Sequence, residues 1–191
     1  MIARRALWAV PVLALLLAAA TAPPLAYRVD PGGSDVAAKV AFLGIGSRTA
    51  SFPAVSGSAR LSPTAMDRID LKVRIDARQL KASDTLTTER LRGPNFFDVA
   101  NHPTVSFTGT ALTMTGPATG TVAGELTARG VTRPVTLAVT FADAPARAAS
   151  GDAIGITGTT TINRRDFGMT AYSLIVGKQV TITIRTRLVP A

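Results

Sequence analysis

The stretch Leu91–Gly109, LRGPNFFDVANHPTVSFTG, joins two kinds of backbone through an adjacent pair of aromatic residues. The residues before it, Ser83–Arg92, are polar and indicate a short helix. From Thr104–Met114, apolar and polar residues alternate, which predicts a β-strand. Phe96 and Phe97 lie in the connection, and burying a phenylalanine ring contributes roughly 1.5–3 kcal/mol. We therefore expect a helix and a loop that plug or cover a β-structure.

Apolar and polar residues alternate repeatedly along the rest of the chain. Arg68–Asp76 gives the clearest example, because every second residue is apolar and the others are charged. One polar face and one apolar face are typical of an antiparallel sheet with one side in water. The predicted strands are Ser34–Phe42, the row from Val55 to Leu61, Arg68–Asp76, Thr104–Met114, Thr119–Ala128, Arg133–Asp143, Asp152–Asn163 and Lys178–Leu188.

Eight strands separated by turns rich in Gly, Pro and Asp predict an all-β fold. We predict an eight-stranded antiparallel barrel over residues 27–190, with one or two short helices. A barrel is favoured over a sandwich because closure leaves no edge strand exposed. A barrel of this size can enclose one small ligand.

Small residues recur on the apolar faces of the predicted strands. They are Ala38, Gly57, Ala59, Gly109, Gly124 and Gly158. One interpretation is that they leave room for an elongated apolar cavity. The other is that the glycines mark bends that allow a small barrel to close. The residues alone leave both interpretations open.

Three segments resemble successive motifs of the YceI-like family: Leu91–Gly109, Gly124–Phe141 (GELTARGVTRPVTLAVTF) and Thr160–Ser173 (TTINRRDFGMTAYS). They stand in the family's order, and the similarity extends from about Tyr27 to Leu188. The resemblance implies a small, secreted bacterial protein with a lipocalin-like barrel and an apolar cavity. It also implies a polyisoprenoid ligand, such as a prenyl quinone or prenyl phosphate, with fatty acyl chains as an alternative.

Residues 1–20 have the features of a secretory signal peptide. Arg4 and Arg5 precede the apolar stretch Ala6–Ala20, which ends in small residues. An uncleaved membrane anchor is the alternative, but the stretch is shorter than the roughly 20 residues that a spanning helix needs. We expect cleavage after Ala20 and a periplasmic protein. Loss of the two arginines would lower the formal net charge from +9 to +7.

Residues able to carry catalysis are scarce. The chain has no cysteine, one histidine (His102) and two glutamates (Glu89 and Glu125). Zinc and iron sites need several such ligands, and no serine lies in a nucleophile elbow. We expect no enzyme, no metal site and no cofactor. Nucleic-acid binding is disfavoured as well, because the basic residues are scattered and aromatic residues are few. His102 is expected to set the turn before Pro103, with a ring nitrogen bonded to the backbone.

The candidate site residues follow from the predicted inward positions and from the three motifs. Residues expected to line the cavity or its entrance are Val40, Phe42, Leu71, Val73, Leu86, Leu91, Phe96, Phe97, Phe107, Leu137, Val139, Ile156, Phe167, Met169 and Tyr172. Candidates to contact a ligand head group are Arg90, Arg92, Arg164 and Arg165. The alternative role for Arg165 is an ion pair with Asp166 or Asp98.

The helix marks a departure from the family's pattern. Many members carry an acidic residue and a histidine just before a Leu-Arg or Leu-Lys step, whereas this chain has Thr87–Arg92 (TTERLR) there. If those groups contact a head group in relatives, this chain must recognise its ligand differently. Arg90 and Arg92 would then favour an anionic or carbonyl-bearing head group.

Two functional hypotheses follow. The first is a non-catalytic periplasmic carrier that buries the tail of one long-chain amphiphile at about 0.8 kcal/mol per CH₂. The second is a stress-response interaction module whose barrel is filled by its own side chains. Its basic outer face would bind an acidic partner or the membrane surface. That face comprises Arg68, Lys72, Arg74, Arg185 and Arg187. A homodimer is compatible with both hypotheses.

Overall fold

Ten strands and one short α-helix make up the part of the chain that the computed structural model describes, residues 25–62, 65–143 and 152–191. The strands are β1 (Leu25–Val29), β2 (Asp35–Phe42), β3 (Gly46–Phe52), β4 (Val55–Ser62), β5 (Ala65–Asp76), β6 (Thr104–Met114), β7 (Thr119–Ala128), β8 (Val131–Phe141), β9 (Ile154–Asn163) and β10 (Val176–Pro190). The helix α1 spans Thr85–Arg92. Short 3₁₀ turns lie at Pro31–Gly33, Ala77–Gln79 and Arg164–Phe167. The predicted signal peptide lies outside the described residues.

Eight of the strands form a closed antiparallel ring. The order around the ring is β1-β4-β5-β6-β7-β8-β9-β10, and β10 pairs with β1 to close it. In the closing pair, Val29 lies opposite Leu188 and Tyr27 lies opposite Pro190. The ring confirms the predicted eight-stranded antiparallel barrel with one short helix. Its apolar strand faces point inward, as the alternation predicts.

The remaining two strands, β2 and β3, form a hairpin that extends the barrel wall on one side. β2 pairs with residues 176–185 of β10, whereas β1 pairs with residues 188–190 of the same strand. β1 and β2 therefore act as one long strand that is interrupted by the 3₁₀ turn at Pro31–Gly33. β3 pairs with β2 along its length, and on its other side a single bridge joins Ser51 to Lys81.

The sequence did not predict β1 or β3, and each omission has a physical reason. β1 has only five residues, too few for an alternating pattern to be distinct from its surroundings. The first four residues of β3 are solvent-exposed and mostly polar, so no alternating pattern marks the strand in the sequence. Pairing with β2 holds this exposed part, and only Ala50 and Phe52 at the end of the strand are buried in the core.

The helix begins and ends at well-defined caps. The carboxylate of Asp84 accepts hydrogen bonds from the Thr87 backbone N–H and from the Thr87 hydroxyl, both at 2.8 Å. At the other end, the N–H of Gly93 donates to the carbonyl groups of Glu89 and Arg90. The prediction of a short polar helix over 83–92 therefore holds to within two residues. The C-terminal helix cap at Gly93 sets where the following aromatic pair enters the end of the barrel.

The β7–β8 hairpin turns through Arg129 and Gly130, which both have positive φ angles, 50° and 72°. This is the geometry that favours glycine in two-residue hairpins. Gly130 also packs against the ring of His102. The predicted hydrogen bond from that ring to the backbone is wrong: within the described ranges the ring makes none. The predicted strand Arg133–Asp143 begins two residues earlier than expected, because β8 starts at Val131.

Candidate functional site

An apolar cavity of about 180 Å³ runs through the interior of the barrel. Along β10, its wall extends from Val180 to Leu188, eight residue steps or roughly 26 Å of strand. The cavity is therefore long relative to its volume. Side chains from all eight ring strands contribute to the wall, and nearly all of them are aliphatic or aromatic. The polar lining residues are Ser106, Thr160, Arg164, Arg185 and Thr186.

Eight of the predicted ligand-contacting residues lie in this wall. They are Leu71, Val73, Phe97, Phe107, Leu137, Val139, Ile156 and Met169. Most of them occupy inward positions on strands whose alternation was clear in the sequence. Sequence reasoning missed other members of the wall, such as Val36, Phe52, Val105 and Phe141. Val105 and Phe141 could have been identified, because they lie on the inward faces of predicted strands. Phe52 could not, because it lies on β3, which was not predicted.

Seven predicted residues do not line the cavity. Val40 and Phe42 are half-buried on the part of β2 that extends past the ring, and the guanidinium of Arg48 lies over the Phe42 ring at 4.9 Å. Leu86 and Tyr172 are exposed because they lie on the outer side of α1 and of the β9–β10 connection. Of the others, Leu91 and Phe167 pack against the core and Phe96 is buried elsewhere, and none of the three lines the cavity.

One end of the barrel is covered by a cap, which we define as α1, the loop 93–103 and the segment 164–175. The rings of its two adjacent phenylalanines, Phe96 and Phe97, pack against different partners. The ring of Phe97 packs edge-on against Phe52 at 5.4 Å and lines the cavity. The ring of Phe96 instead stacks on Tyr172 at 5.9 Å, with the planes 7° apart. The aromatic pair thus fixes the cap to the barrel and to its own outer segment, as the sequence predicted in outline.

Arg129, which the sequence analysis did not single out, joins the two loops of the cap. From the β7–β8 turn its guanidinium donates to the carbonyl of Pro94 at 2.6 Å and to the carbonyl of Gly168. Gly168 has a φ of 76° and ends the 3₁₀ turn at Arg164–Phe167. Because one side chain bonds both segments, their positions are coupled to the barrel rim.

Arg164 is the one buried charged residue at the cavity, with only 3% of its surface exposed. Its guanidinium donates to three backbone carbonyls: Gly177 at 2.9 Å, Val176 at 3.0 Å, and Met169. No carboxylate in the described ranges forms an ion pair with it. Burial lowers the pKa of Arg164 from its ordinary value, and the nearby charge of Arg165 lowers it further. The cavity therefore ends at a positive charge that lacks an acidic partner.

The other head-group candidates lie away from the cavity. Arg90 is exposed on α1, and Arg92 donates to the carbonyl of Leu80 at 2.9 Å. Arg165 is exposed because the 3₁₀ turn rotates it to the side opposite Arg164.

The alternative ion pairs of Arg165 are wrong as well. The carboxylate of Asp166 accepts from the Asn163 amide at 3.0 Å. The carboxylate of Asp98 accepts from Asn101 at 3.0 and 3.1 Å. Neither aspartate lies within ion-pair distance of Arg165. Its exposed guanidinium therefore does not fix the loop.

Two absences among the described residues bear on the chemistry of the site. Across residues 25–62, 65–143 and 152–191, no three His, Cys, Asp or Glu side chains lie close enough together to hold a metal ion. No helix in the same ranges is long and apolar enough to cross a membrane.

The chain is similar in sequence to a family of known proteins. A family model described as the YceI-like domain matches residues 27–188. A UPF0312 protein of Pseudomonas putida (strain GB-1) is 30% identical over 156 residues, which cover 81% of each chain. A UPF0312 protein of Azotobacter vinelandii is 28% identical over 156 residues, which again cover 81% of each chain.

Two solved structures share the fold. BcnA of Burkholderia cenocepacia superposes with a TM-score of 0.74 at 23% identity, over 83% of this chain and 98% of BcnA. A polyisoprenoid-binding domain of Saccharophagus degradans, implicated in plant cell wall breakdown, superposes with a TM-score of 0.66 at 14% identity. That match covers 87% of this chain and 99% of the domain.

Proposed function

This chain belongs to the YceI-like family, and on that premise we propose that it is a non-catalytic carrier of one long-chain amphiphile. The carried molecule has an isoprenoid tail, as in a polyisoprenoid, a prenyl quinone or a prenyl phosphate. The likeness of the fold to the polyisoprenoid-binding domain of Saccharophagus degradans supports this ligand class. We propose further that the carrier works in the periplasm, after removal of residues 1–20.

The observation that carries the proposal is the shape and lining of the cavity. A long, narrow and almost wholly apolar space suits an unbranched or methyl-branched hydrocarbon chain better than a compact polar metabolite. Each buried CH₂ contributes about 0.8 kcal/mol, so a tail that extends along most of the cavity would bind tightly. An empty apolar space of 180 Å³ also counts against a barrel filled by its own side chains.

Arg164 provides a place for the polar end of the ligand. A guanidinium has five N–H donors, and three of them are used by backbone carbonyls. Two donors are left for a quinone carbonyl or a phosphate oxygen at the Arg164 end of the cavity. An anionic head group would in addition compensate the buried positive charge. We therefore propose that the tail points toward Leu188 and the head group toward the cap.

The decisive experiment is identification of the natural cargo. The protein is purified without detergent from cells that export it, extracted with organic solvent, and analysed by mass spectrometry. We expect one isoprenoid or acyl species at close to one equivalent. A protein that is empty and also takes up no added prenyl compound would contradict the carrier proposal.

A chain-length series tests the mode of binding. Affinities for prenyl alcohols of increasing length are measured by competition against a fluorescent prenyl analogue. Because tail burial is additive, affinity should rise steeply with each isoprene unit and level off when the cavity is full. The affinity should persist at high ionic strength, where contacts between exposed charges weaken. An affinity that does not vary with chain length would show that the tail lies outside the barrel.

A further inference from the structure

Two neighbouring loops, one in the β2–β3 turn and one in the cap, expose large apolar side chains to solvent. Ile45 in the β2–β3 turn is 94% exposed, and Leu174 in the β9–β10 connection is 98% exposed. Leu43 and Tyr172, on the same two loops, are about half exposed, and Ile175 is at the margin of exposure. We call these five residues the apolar tip. Exposed apolar surface of this kind marks a site of contact with another apolar body.

The tip is one surface and not two separate loops. The backbone N–H of Leu43 donates to the carbonyl of Ile175 at 2.8 Å, and the next pair inward is Phe42 opposite Val176. The second loop is closed by hydrogen bonds from Ile175 and Val176 to the carbonyl of Tyr172. The two loops that carry Ile45 and Leu174 are therefore joined at their base by backbone hydrogen bonds.

The residues of the tip are not those that turn geometry prefers. Leu43 and Tyr172 have φ angles of 54° and 56°, in the left-handed region that favours Gly, Asn and Asp. A leucine at φ above zero is unfavourable, and its side chain gains little burial here. Tyr172 gains its stack on Phe96, but the small burial of Leu43, which is 56% exposed, does little to repay the choice of leucine. An apolar surrounding outside the protein would repay it.

The tip adjoins the charged end of the cavity. Arg164, which lines the cavity, donates to the carbonyls of Val176 and Gly177, immediately after Ile175. Tyr172 stacks on Phe96 of the cap. A body that contacts the tip thus lies against the same barrel end as the proposed head-group site.

The charges on the two chain segments that carry the tip have one sign. The segments 39–52 and 167–180 contain Lys39, Arg48 and Lys178 and no Asp or Glu. Outside these segments, the N-cap residue Asp84 lies near Arg48: hydrogen bonds from Thr87 lower the pKa of Asp84 most, and the charge of Arg48 lowers it further. Basic residues beside an apolar insertion favour the surface of an anionic membrane. A tyrosine at the margin is also typical of residues at the membrane interface.

We propose that the apolar tip inserts into the surface of a bilayer that contains anionic lipids, and that the ligand passes between membrane and cavity at this end. The passage of ligand rests on the proposed carrier function, whereas the docking itself does not. The occupant is a lipid surface because both the apolar side chains and the flanking cations suit it.

The first test is binding to vesicles. The protein is floated with vesicles of phosphatidylcholine, with and without phosphatidylglycerol, and the bound fraction is measured. Wild type should bind the anionic vesicles, and the double variant Ile45→Ser, Leu174→Ser should bind at least about tenfold more weakly. Leu86→Ser is the matched control, since Leu86 on α1 is as exposed as Leu43. Equal losses in the control and the double variant would overturn the proposal.

The second test locates the loop in the bilayer. Trp8 is the only tryptophan of the sequence, so Leu174→Trp in a Trp8→Phe background carries the only indole. Its fluorescence should shift to the blue on vesicle binding and be quenched by brominated lipids. The same background with Leu86→Trp should show neither change. An indole at 174 that stays in water would overturn docking, whether or not residues 1–20 are retained.

Two measurements separate this proposal from its alternatives. If a second copy of the chain covers the tip, wild type will sediment as a dimer and the double variant as a monomer, which would overturn docking on lipid. Uptake of a soluble prenyl analogue is measured separately. A double variant that binds the analogue normally but exchanges it slowly with vesicles supports the proposal. Wild type that docks on vesicles but binds no analogue would refute the carrier function alone.

Discussion

Gly109 and Gly124 lie directly opposite each other on β6 and β7, and the ring of Phe107 occupies the space that side chains at these positions would take. A β-carbon at Gly109 would lie 3.2 Å from Cε1 of that ring, and one at Gly124 would lie 2.7 Å from Cζ. These two glycines therefore make room for an aromatic side chain and do not enlarge the cavity. Gly158, by contrast, leaves space in the cavity, because the nearest atom to a β-carbon there would be Cβ of Ile184, at 3.7 Å.

The first prediction concerns stability at the glycine pair. Gly124→Ala should lower the free energy of unfolding by about 1–3 kcal/mol, because the new methyl group meets the Thr108 carbonyl and the Phe107 ring. Urea denaturation measures the change. Gly158→Ala is the matched control and should leave stability equal or slightly raised, since its methyl group has room and glycine is unfavourable in a strand. An unchanged stability of Gly124→Ala would show that the strands can separate without cost.

The second prediction concerns cavity volume. Gly158→Val should weaken the binding of a prenyl ligand roughly tenfold, because its methyl groups displace about two CH₂ units of the tail. Thr159→Val, on the outward face of the same strand, should leave affinity unchanged. Competition binding measures both. If the two variants bind alike, the tail does not pass Gly158.

The sequence predicts the barrel wall well where local alternation decides the inward direction. Leu71, Val73, Leu137 and Val139 were all placed on the cavity side, and each lines it. A period of two residues is a local property, and a sheet with one face in water preserves it. Of the small inward residues, Gly158 leaves space in the cavity, whereas Gly109 and Gly124 accommodate the Phe107 ring, with a register shift just after Gly109.

The contacts of the cap could not be predicted, because they depend on long-range geometry. Arg164 and Arg165 are adjacent in sequence, yet one is buried against three carbonyls and the other is exposed. Their separation depends on a 3₁₀ turn, which follows neither strand nor helix periodicity. Val40 and Phe42 continue an inward pattern along β2, but that strand runs past the ring. No local feature marks where a partner strand ends.

The third prediction concerns the buried guanidinium. Arg164→Met should destabilise the protein by about 2–4 kcal/mol, because the carbonyls of Met169, Val176 and Gly177 lose their charged donor in a buried place. The measurement is the free energy of unfolding in urea. Arg165→Met is the control, and as an exposed substitution it should change that value by less than about 0.5 kcal/mol. Equal effects would assign the stabilisation to net charge and not to the hydrogen bonds.

The fourth prediction concerns pH. Hydrogen bonds from the Thr87 backbone, then from the Thr87 hydroxyl, lower the pKa of Asp84 below its ordinary value. A carboxyl group whose pKa is lower in the folded state stabilises that state above its unfolded pKa of about 3.9, and this stabilisation is lost as pH falls through the folded value. Wild type should therefore be more stable than Asp84→Asn at pH 7, and the difference should vanish in strong acid. Asparagine also caps helices, so the comparison isolates the charge.

The control for this pH experiment is a second N-cap carboxylate, that of Asp76 before the 3₁₀ turn at Ala77–Gln79. Asp76 also has a lowered pKa, chiefly because the Arg78 side chain donates to it. In Asp84→Asn the contribution of Asp76 remains, so the variant should still lose stability in acid, but less steeply. A pH profile parallel to that of wild type would mean that the charge of Asp84 does not contribute.

The last prediction concerns the rate at which ligand leaves. Phe97 and Phe96 are adjacent, but only Phe97 lines the cavity, where it packs edge-on against Phe52. Phe97→Ala removes the cap ring that lines the cavity and should speed ligand release several-fold. Phe96→Ala should lower stability through loss of its own buried ring and its stack on Tyr172, with a smaller effect on release. Stopped-flow transfer of a fluorescent prenyl analogue to acceptor vesicles measures the rates. If both variants accelerate release equally, the cap moves as one body, and the coupling of its segments by Arg129 determines exchange more than the Phe97 ring does.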